Sequence, residues 1–140
     1  MPEQRRPRLR IGELAARSGR SVHAIRWYEA QGLMPGVHRD AGGRRIYSER
    51  HVGWLELLDR LRCTGMSIKE MQHYTLLVQQ GPATLEQRRQ LLRAHRERVE
   101  QRIAGWSAAL ALIDRKLEFY DDWIEAGAMP ASGWPSGRGG

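Results

Sequence analysis

A seven-residue beat of apolar side chains through residues 85–126 is the strongest constraint on what this chain can fold into. One row is Leu85, Leu92, Val99, Trp106, Ile113 and Tyr120; the other is Ile103, Leu110, Leu117 and Ile124. Read as d and a positions of a heptad, these rows form a coiled-coil seam over the C-terminal half of one long helix that ends at Gly127. In the N-terminal half Arg89 and Arg96 fall at a, so only the d row is apolar there. At ~1.5 Å of rise per residue such a helix is roughly 60 Å long. The short helices ahead of it cannot cover its stripe, and a second copy of the chain is the economical partner. The expected class is therefore mostly α, with a small head followed by a long dimerisation helix.

The head reads as alternating helix and turn. Residues 1–8 are polar, basic and proline-broken, and are expected to form a flexible arm. Helical pattern begins at Ile11 and stops at Ser18-Gly19. Ser21 is a good N-cap for a second helix carrying Val22, Ile25 and Tyr28, which Gly32 ends. Two short helices joined by a glycine-containing turn make a helix-turn-helix candidate. Pro35, Gly36, Gly42 and Gly43 then break the helical period, and residues 37–39 and 45–47 can pair as a hairpin around Asp40–Gly43, which would be a wing. Ser48 caps a third helix over 49–63, with Val52, Leu55, Leu58 and Leu61 on one face. Ser67-Ile68-Lys69-Glu70 is a capping box for a fourth helix running to about Gln80, and Thr84-Leu85-Glu86-Gln87 is another for the long helix. The domains expected are a head over 9–81, a dimerisation helix over 82–127 and a flexible tail over 128–140, in which Trp134 is the one residue suited to docking.

Charge locates the chemistry. The net charge is +7, and residues 1–50 hold eleven arginines, no lysine and five acids, leaving the remainder close to neutral. A basic first third suits a polyanion, and double-stranded DNA is the usual one. Ser21, His23 and Ala24 lie at the N-terminal end of the second helix, the end that meets base edges in such motifs. Arg26 offers a forked donor for a phosphate or a guanine. Tyr28 and Tyr47 can donate phenolic hydroxyls to phosphates, although Tyr28, three residues from Ile25, also suits a core position. Arg44 and Arg45 sit on the wing, placed for the backbone or a neighbouring groove. His23 is either a base reader or a solvated side chain.

The string IGELAARSGRSVHAIRWYEAQGLM, followed by R-DAGGRR-IYS and then LRCTGMSIKEM, resembles the MerR family of bacterial regulators from about Arg10 to Gln80. The resemblance implies a winged helix-turn-helix, dimerisation through an antiparallel coiled coil, and binding to a pseudo-palindromic promoter whose spacer is distorted for RNA polymerase. It carries DNA contacts over to Ser21, His23, Arg26 and Tyr28 on the recognition helix, to Arg45 and Tyr47 on the wing, and to Arg17 on the first helix. Arg44 stands where the family often has an aromatic, and Trp27 where it often has tyrosine.

The effector side is less specified. Metal-sensing relatives use several cysteines around the long helix, whereas this chain has Cys63 alone, and its five histidines lack metal-ligand spacing, so no cofactor or metal is expected. Cys63, closing the third helix, suits a buried structural role better than a thiol sensor. Met71, Tyr74, Trp106, Phe119, Tyr120 and Trp123 are candidates to line a pocket for a small organic ligand, against the alternative that an aromatic stripe at helical spacing is dimer core. Competing functions are an effector-independent DNA-architectural protein and a drug-binding resistance protein. No nucleophile–base grouping or phosphate-cradling glycine loop supports an enzyme. With no signal peptide and no membrane span, a cytoplasmic location is expected.

Overall fold

Capping chemistry sets most element boundaries. In the computed structural model, which describes residues 8–135, α1 (Ile11–Ser18) opens with the Glu13 carboxylate accepting the Arg10 N–H at 3.3 Å. It stops at Gly19, whose φ of 68° is the left-handed turn that glycine adopts without a Cβ penalty. Ser21 caps α2 (Val22–Ala30), its Oγ accepting the Ala24 N–H at 3.0 Å, and Ser67 caps α4 (Ile68–Gln79) by accepting the Glu70 N–H at 3.1 Å. Each such cap contributes about 1 kcal/mol. At the start of α3 (Glu49–Cys63) a histidine takes the place of the usual acid or amide. His51 Nδ1 accepts the Ser48 N–H at 3.0 Å, and its Nε2 lies 2.6 Å from the Pro35 carbonyl. The tautomer carrying its proton on Nε2 satisfies both contacts of this buried ring.

Between α2 and α3 lies the expected wing. Strands β1 (His38–Arg39) and β2 (Arg45–Ile46) pair antiparallel, with His38 opposite Ile46 and Arg39 opposite Arg45. Asp40 holds the turn: its Oδ1 accepts the N–H groups of Gly42 and Arg44, both at 2.9 Å. Gly43 takes a φ of 80°, as a three-residue hairpin loop requires at its last position. Leu9 adds a contact that local pattern does not predict, exchanging two 2.8 Å backbone hydrogen bonds with Tyr47 and tying the start of the head to the wing.

The chain divides into two compact units at Arg93/Ala94, a boundary inside α5 (Leu85–Ala126). The core of the first unit is built from Leu14, Ile25, Leu33, Leu55, Leu58 and Met71, all fully buried, with Leu9, Tyr28, Tyr47 and Tyr74 around them. Burying each of these aliphatic side chains contributes about 1.5–3 kcal/mol. Trp54 joins this core, stacked on Tyr74 at 5.5 Å and donating its indole N–H to the Leu33 carbonyl at 2.7 Å. Leu91 and Leu92, from the first turns of α5, also pack on it.

Two sequence expectations are corrected here. Thr84 does not form a capping box with Gln87. Residues Pro82–Thr84 make a 3-10 turn, and the Thr84 hydroxyl faces back to the Leu77 carbonyl at 2.5 Å while accepting from Arg88 Nε at 2.9 Å. The carbonyls ending α4 need donors, and Thr84 and Arg88 supply them. Cys63 is exposed, not buried. It lies two residues past Leu61, about 200° around the helix from that buried position.

In the second unit, the rest of α5 leaves its stripe uncovered: Ile103, Trp106, Leu110, Ile113, Leu117 and Ile124 are 56–80% exposed. Beyond Ala126 the chain turns, with the Gly133 N–H bonded to the Pro130 carbonyl at 3.1 Å, and Trp134 does dock, its ring 5.5 Å from Phe119 and 6.3 Å from Tyr120. Most of the predicted basic arm and the last five positions of the tail lie outside the described residues. Among the described residues no helix is long and apolar enough to cross a membrane, and no group of three or more metal-ligating side chains gathers.

Candidate nucleic-acid interface

The second helix presents its N-terminal end outward because its apolar residues are spent on the core. Ile25 and Tyr28 are buried at helical spacing, which leaves Ser21, His23 and Arg26 exposed and Ala24 half-buried on the other side. His23 and Arg26, one turn apart, share that face. Trp27 packs, in edge contact with Tyr28 at 5.3 Å and beneath the Arg62 guanidinium at 4.6 Å.

The wing brings further arginines to the same side. A cleft of about 340 Å³ is lined by Arg10, Ile11, Arg26, Gly43, Arg44, Arg45 and Tyr47. An adjoining one of about 380 Å³ is lined by Arg26, Glu29, Ala30, Val37, Arg39 and Arg45. Arg26, Arg44 and Arg45, singled out from sequence, thus meet at one place, with Arg39 of the wing motif beside them and Arg10 joining unforeseen. Arg10 enters because the Leu9–Tyr47 pairing carries it to the wing; no local pattern announces that. Its guanidinium Nη2 binds Asp40 at 2.6 Å. Arg39 donates to the Gly43 carbonyl at 3.0 Å.

Carboxylates hold several of these cations. Glu29 takes Arg45 Nε at 2.5 Å on one oxygen and the Tyr47 hydroxyl at 3.0 Å on the other. Arg17 pairs with Glu49 across from α1 to α3, with about half of its side chain still exposed. Arg20, more enclosed, pairs with Asp59 at 2.7 Å. Exposed pairs of this kind contribute little to stability, so their charge remains available to a stronger partner.

Burial limits what Tyr28 and Tyr47 can offer as phosphate donors. They are 3% and 1% exposed. Tyr28 is the core residue that its spacing from Ile25 allowed, leaving at most its hydroxyl edge for a phosphate. Tyr47 has committed its hydroxyl to Glu29. Burial and that neighbouring carboxylate push its phenol up to about 12, so it stays a donor throughout the working pH range.

The ligand-pocket candidates separate. Met71 is fully buried and Tyr74 is committed to Trp54, so both serve the core of the first unit. Phe119, Tyr120 and Trp123 cluster with Trp134 in the second unit, where Lys116 lies 5.4 Å from the Phe119 ring and 5.1 Å from the Tyr120 ring. Trp106 stands alone on the seam, 78% exposed.

Asp40 gives this face a pH dependence. The Arg10 guanidinium first, then the Arg44 amide, hold its carboxyl below the ordinary value of 3.8. A lowered carboxyl stabilises the fold at neutral pH and loses that contribution as pH falls through the folded value. The amide shifts of Gly42 and Arg44, followed by NMR as pH falls, are therefore expected to titrate with a midpoint below the ordinary aspartate value of 3.8. A midpoint above it would contradict the Arg10–Asp40 pairing.

Comparison with known proteins agrees with this geometry. Residues 9–76 match the family model of MerR HTH family regulatory proteins, and residues 52–118 match a second, described as MerR, DNA binding. An uncharacterised HTH-type transcriptional regulator of Haemophilus influenzae is 33% identical over 121 residues, covering 86% of this chain and 90% of the relative. The HTH-type transcriptional regulator YfmP of Bacillus subtilis is 31% identical over 122 residues, covering 84% and 86%. Among solved structures, HiNmlR, described as a MerR family regulator lacking the sensor domain and bound to promoter DNA, superposes with a TM-score of 0.75 at 31% identity. That match covers 92% of this chain and 98% of HiNmlR. A MerR family regulator of Listeria monocytogenes gives a TM-score of 0.78 at 34% identity, over 85% of this chain and 90% of its own.

Proposed function

Because the chain belongs to the MerR family of DNA-binding transcriptional regulators, we propose that two copies pair through α5, bind one pseudo-palindromic promoter site and act there on RNA polymerase by distorting the spacer. The observation that carries this reading is the gathering of Arg10, Arg26, Arg44 and Arg45 around one cleft beside the exposed start of α2. Two such faces in one dimer match two half-sites. The uncovered stripe of α5 supports the pairing, since an exposed row of six large apolar residues is costly in water until a second helix covers it.

In this reading DNA binding needs no effector. Met71 and Tyr74 are used up in the core, and the seam aromatics that stay exposed, Trp106 at 78% and Tyr120 at 40%, lie on the heptad row that the pairing would cover. The test is a footprint of the purified chain, with nothing added, on the DNA flanking its own gene. Protection of a dyad with two equal half-sites, weakening steeply as salt rises, is the expected result. No protected dyad would overturn the regulator reading, and a dyad that appears only after small aromatic compounds are added would restore an effector.

A further inference from the structure

A carboxylate in the middle of a DNA-facing arginine cluster is a liability unless it does something there. Glu29 shares one cleft with Arg26, Arg39 and Arg45, and its side chain is 15% exposed. Its charge lowers the positive potential that a phosphate meets. Long-range attraction alone would favour a neutral residue at this position.

We propose that Glu29 is a positioning residue for DNA binding, fixing the wing arginine Arg45 beside recognition-helix Arg26 before the duplex arrives. The inference rests on the DNA-binding reading above. Glu29 uses its two oxygens on two different residues of the wing, Arg45 through Nε at 2.5 Å and Tyr47 through its hydroxyl at 3.0 Å. Tyr47 is buried, 1% exposed, and bonded through its backbone to Leu9, so it anchors the carboxylate. Arg45 is held at the inner edge of its guanidinium while its side chain stays 45% exposed, which leaves the outer edge for a phosphate. Since Glu29 is on α2 and Arg45 on β2, the contact also sets the wing's reach relative to the recognition helix. The rotamer freedom of a long side chain is thus lost on folding and not on binding.

The direction of the effect separates this from simple electrostatics. Glu29→Gln adds one positive charge to the face and keeps an acceptor for Tyr47. If charge alone governed, it would tighten binding. Positioning predicts that Kd on the footprinted duplex rises by about two- to tenfold, the cost of ordering one long side chain at binding. The salt slope should stay as it is, because Arg45 still reaches its phosphate once bound and only the cost of ordering it has moved to the binding step. In an Arg45→Ala background the same substitution should leave Kd unchanged or lower it, because nothing remains to position. Binding by Glu29→Gln as tight as the parent's, or an equal loss in both backgrounds, would overturn the proposal. Should the parent bind no duplex, the regulator reading falls and the role in DNA binding with it, while a DNA-free measurement separately decides whether Glu29 holds Arg45. The Arg45 Nε–H should exchange slowly by NMR in the parent and fast in Glu29→Gln; equal exchange in both would show that Glu29 does not hold it.

Discussion

Leu110→Glu is expected to give a monomer by sedimentation and to lower affinity for the two-half-site duplex by about 10²–10⁴-fold, the loss typical when two linked binding events become one. Leu110 sits at an a position in the middle of the uncovered stripe, 59% exposed and flanked along the seam by Trp106, Ile113 and Leu117. A Leu buried in a helix pair contributes about 1.5–3 kcal/mol, and the symmetry of a homodimer counts each substitution twice. Placing two glutamates in the seam adds the cost of desolvating charges that have no partner. Ala111→Glu is the matched control: the next residue along points about 100° away from Leu110, off both heptad rows, and should leave the dimer intact. A Leu110→Glu protein that still sediments as a dimer would mean that the seam is not where the copies meet, and the two-headed grip would need another source.

The sequence spoke clearly where a boundary depended on residues within a few positions of it. Ser21 and Gly19 bracket the turn of the helix-turn-helix through one side-chain acceptor and one left-handed glycine, both readable from residue type alone. Asp40–Gly43 names its own hairpin in the same way, and the heptad rows identify α5 without reference to anything else. What stayed hidden was non-local. Tyr47 looks like a phosphate donor until Leu9 pairs with it from the other end of the head and Glu29 claims its hydroxyl. Arg10, just ahead of the first helix, carries no local mark of a role until the same pairing delivers it to Asp40. Thr84 has every local mark of a cap, but the carbonyls at the end of α4 compete for its hydroxyl and win. Two misses were legible all the same. The helical period of α3 already turned Cys63 away from the row of Leu55, Leu58 and Leu61, and His51 stands where a capping box wants its second acceptor.

Arg26 and Arg45 line the same cleft yet should fail differently when removed, and the difference decides how the site is read. Arg26 lies on the exposed face of α2, one turn beyond His23, where a guanidinium can reach a base edge. Arg26→Ala is expected to cost about 1–3 kcal/mol on the protected site and much less on a scrambled duplex, so that the ratio of the two affinities collapses. Arg45 belongs to the wing and is anchored by Glu29, an arrangement that suits a phosphate, whose position depends little on sequence. Arg45→Ala should therefore weaken both duplexes alike and make the salt slope shallower by about one ion, leaving the ratio untouched. Binding isotherms of the two variants on the two duplexes at three salt concentrations separate these outcomes. If Arg26→Ala behaves as Arg45→Ala is expected to, Arg26 is a second phosphate clamp and discrimination passes to Ser21, His23 and Ala24 at the start of the helix. If neither substitution changes affinity, α2 is not the recognition helix, and the arginine cleft faces something other than DNA.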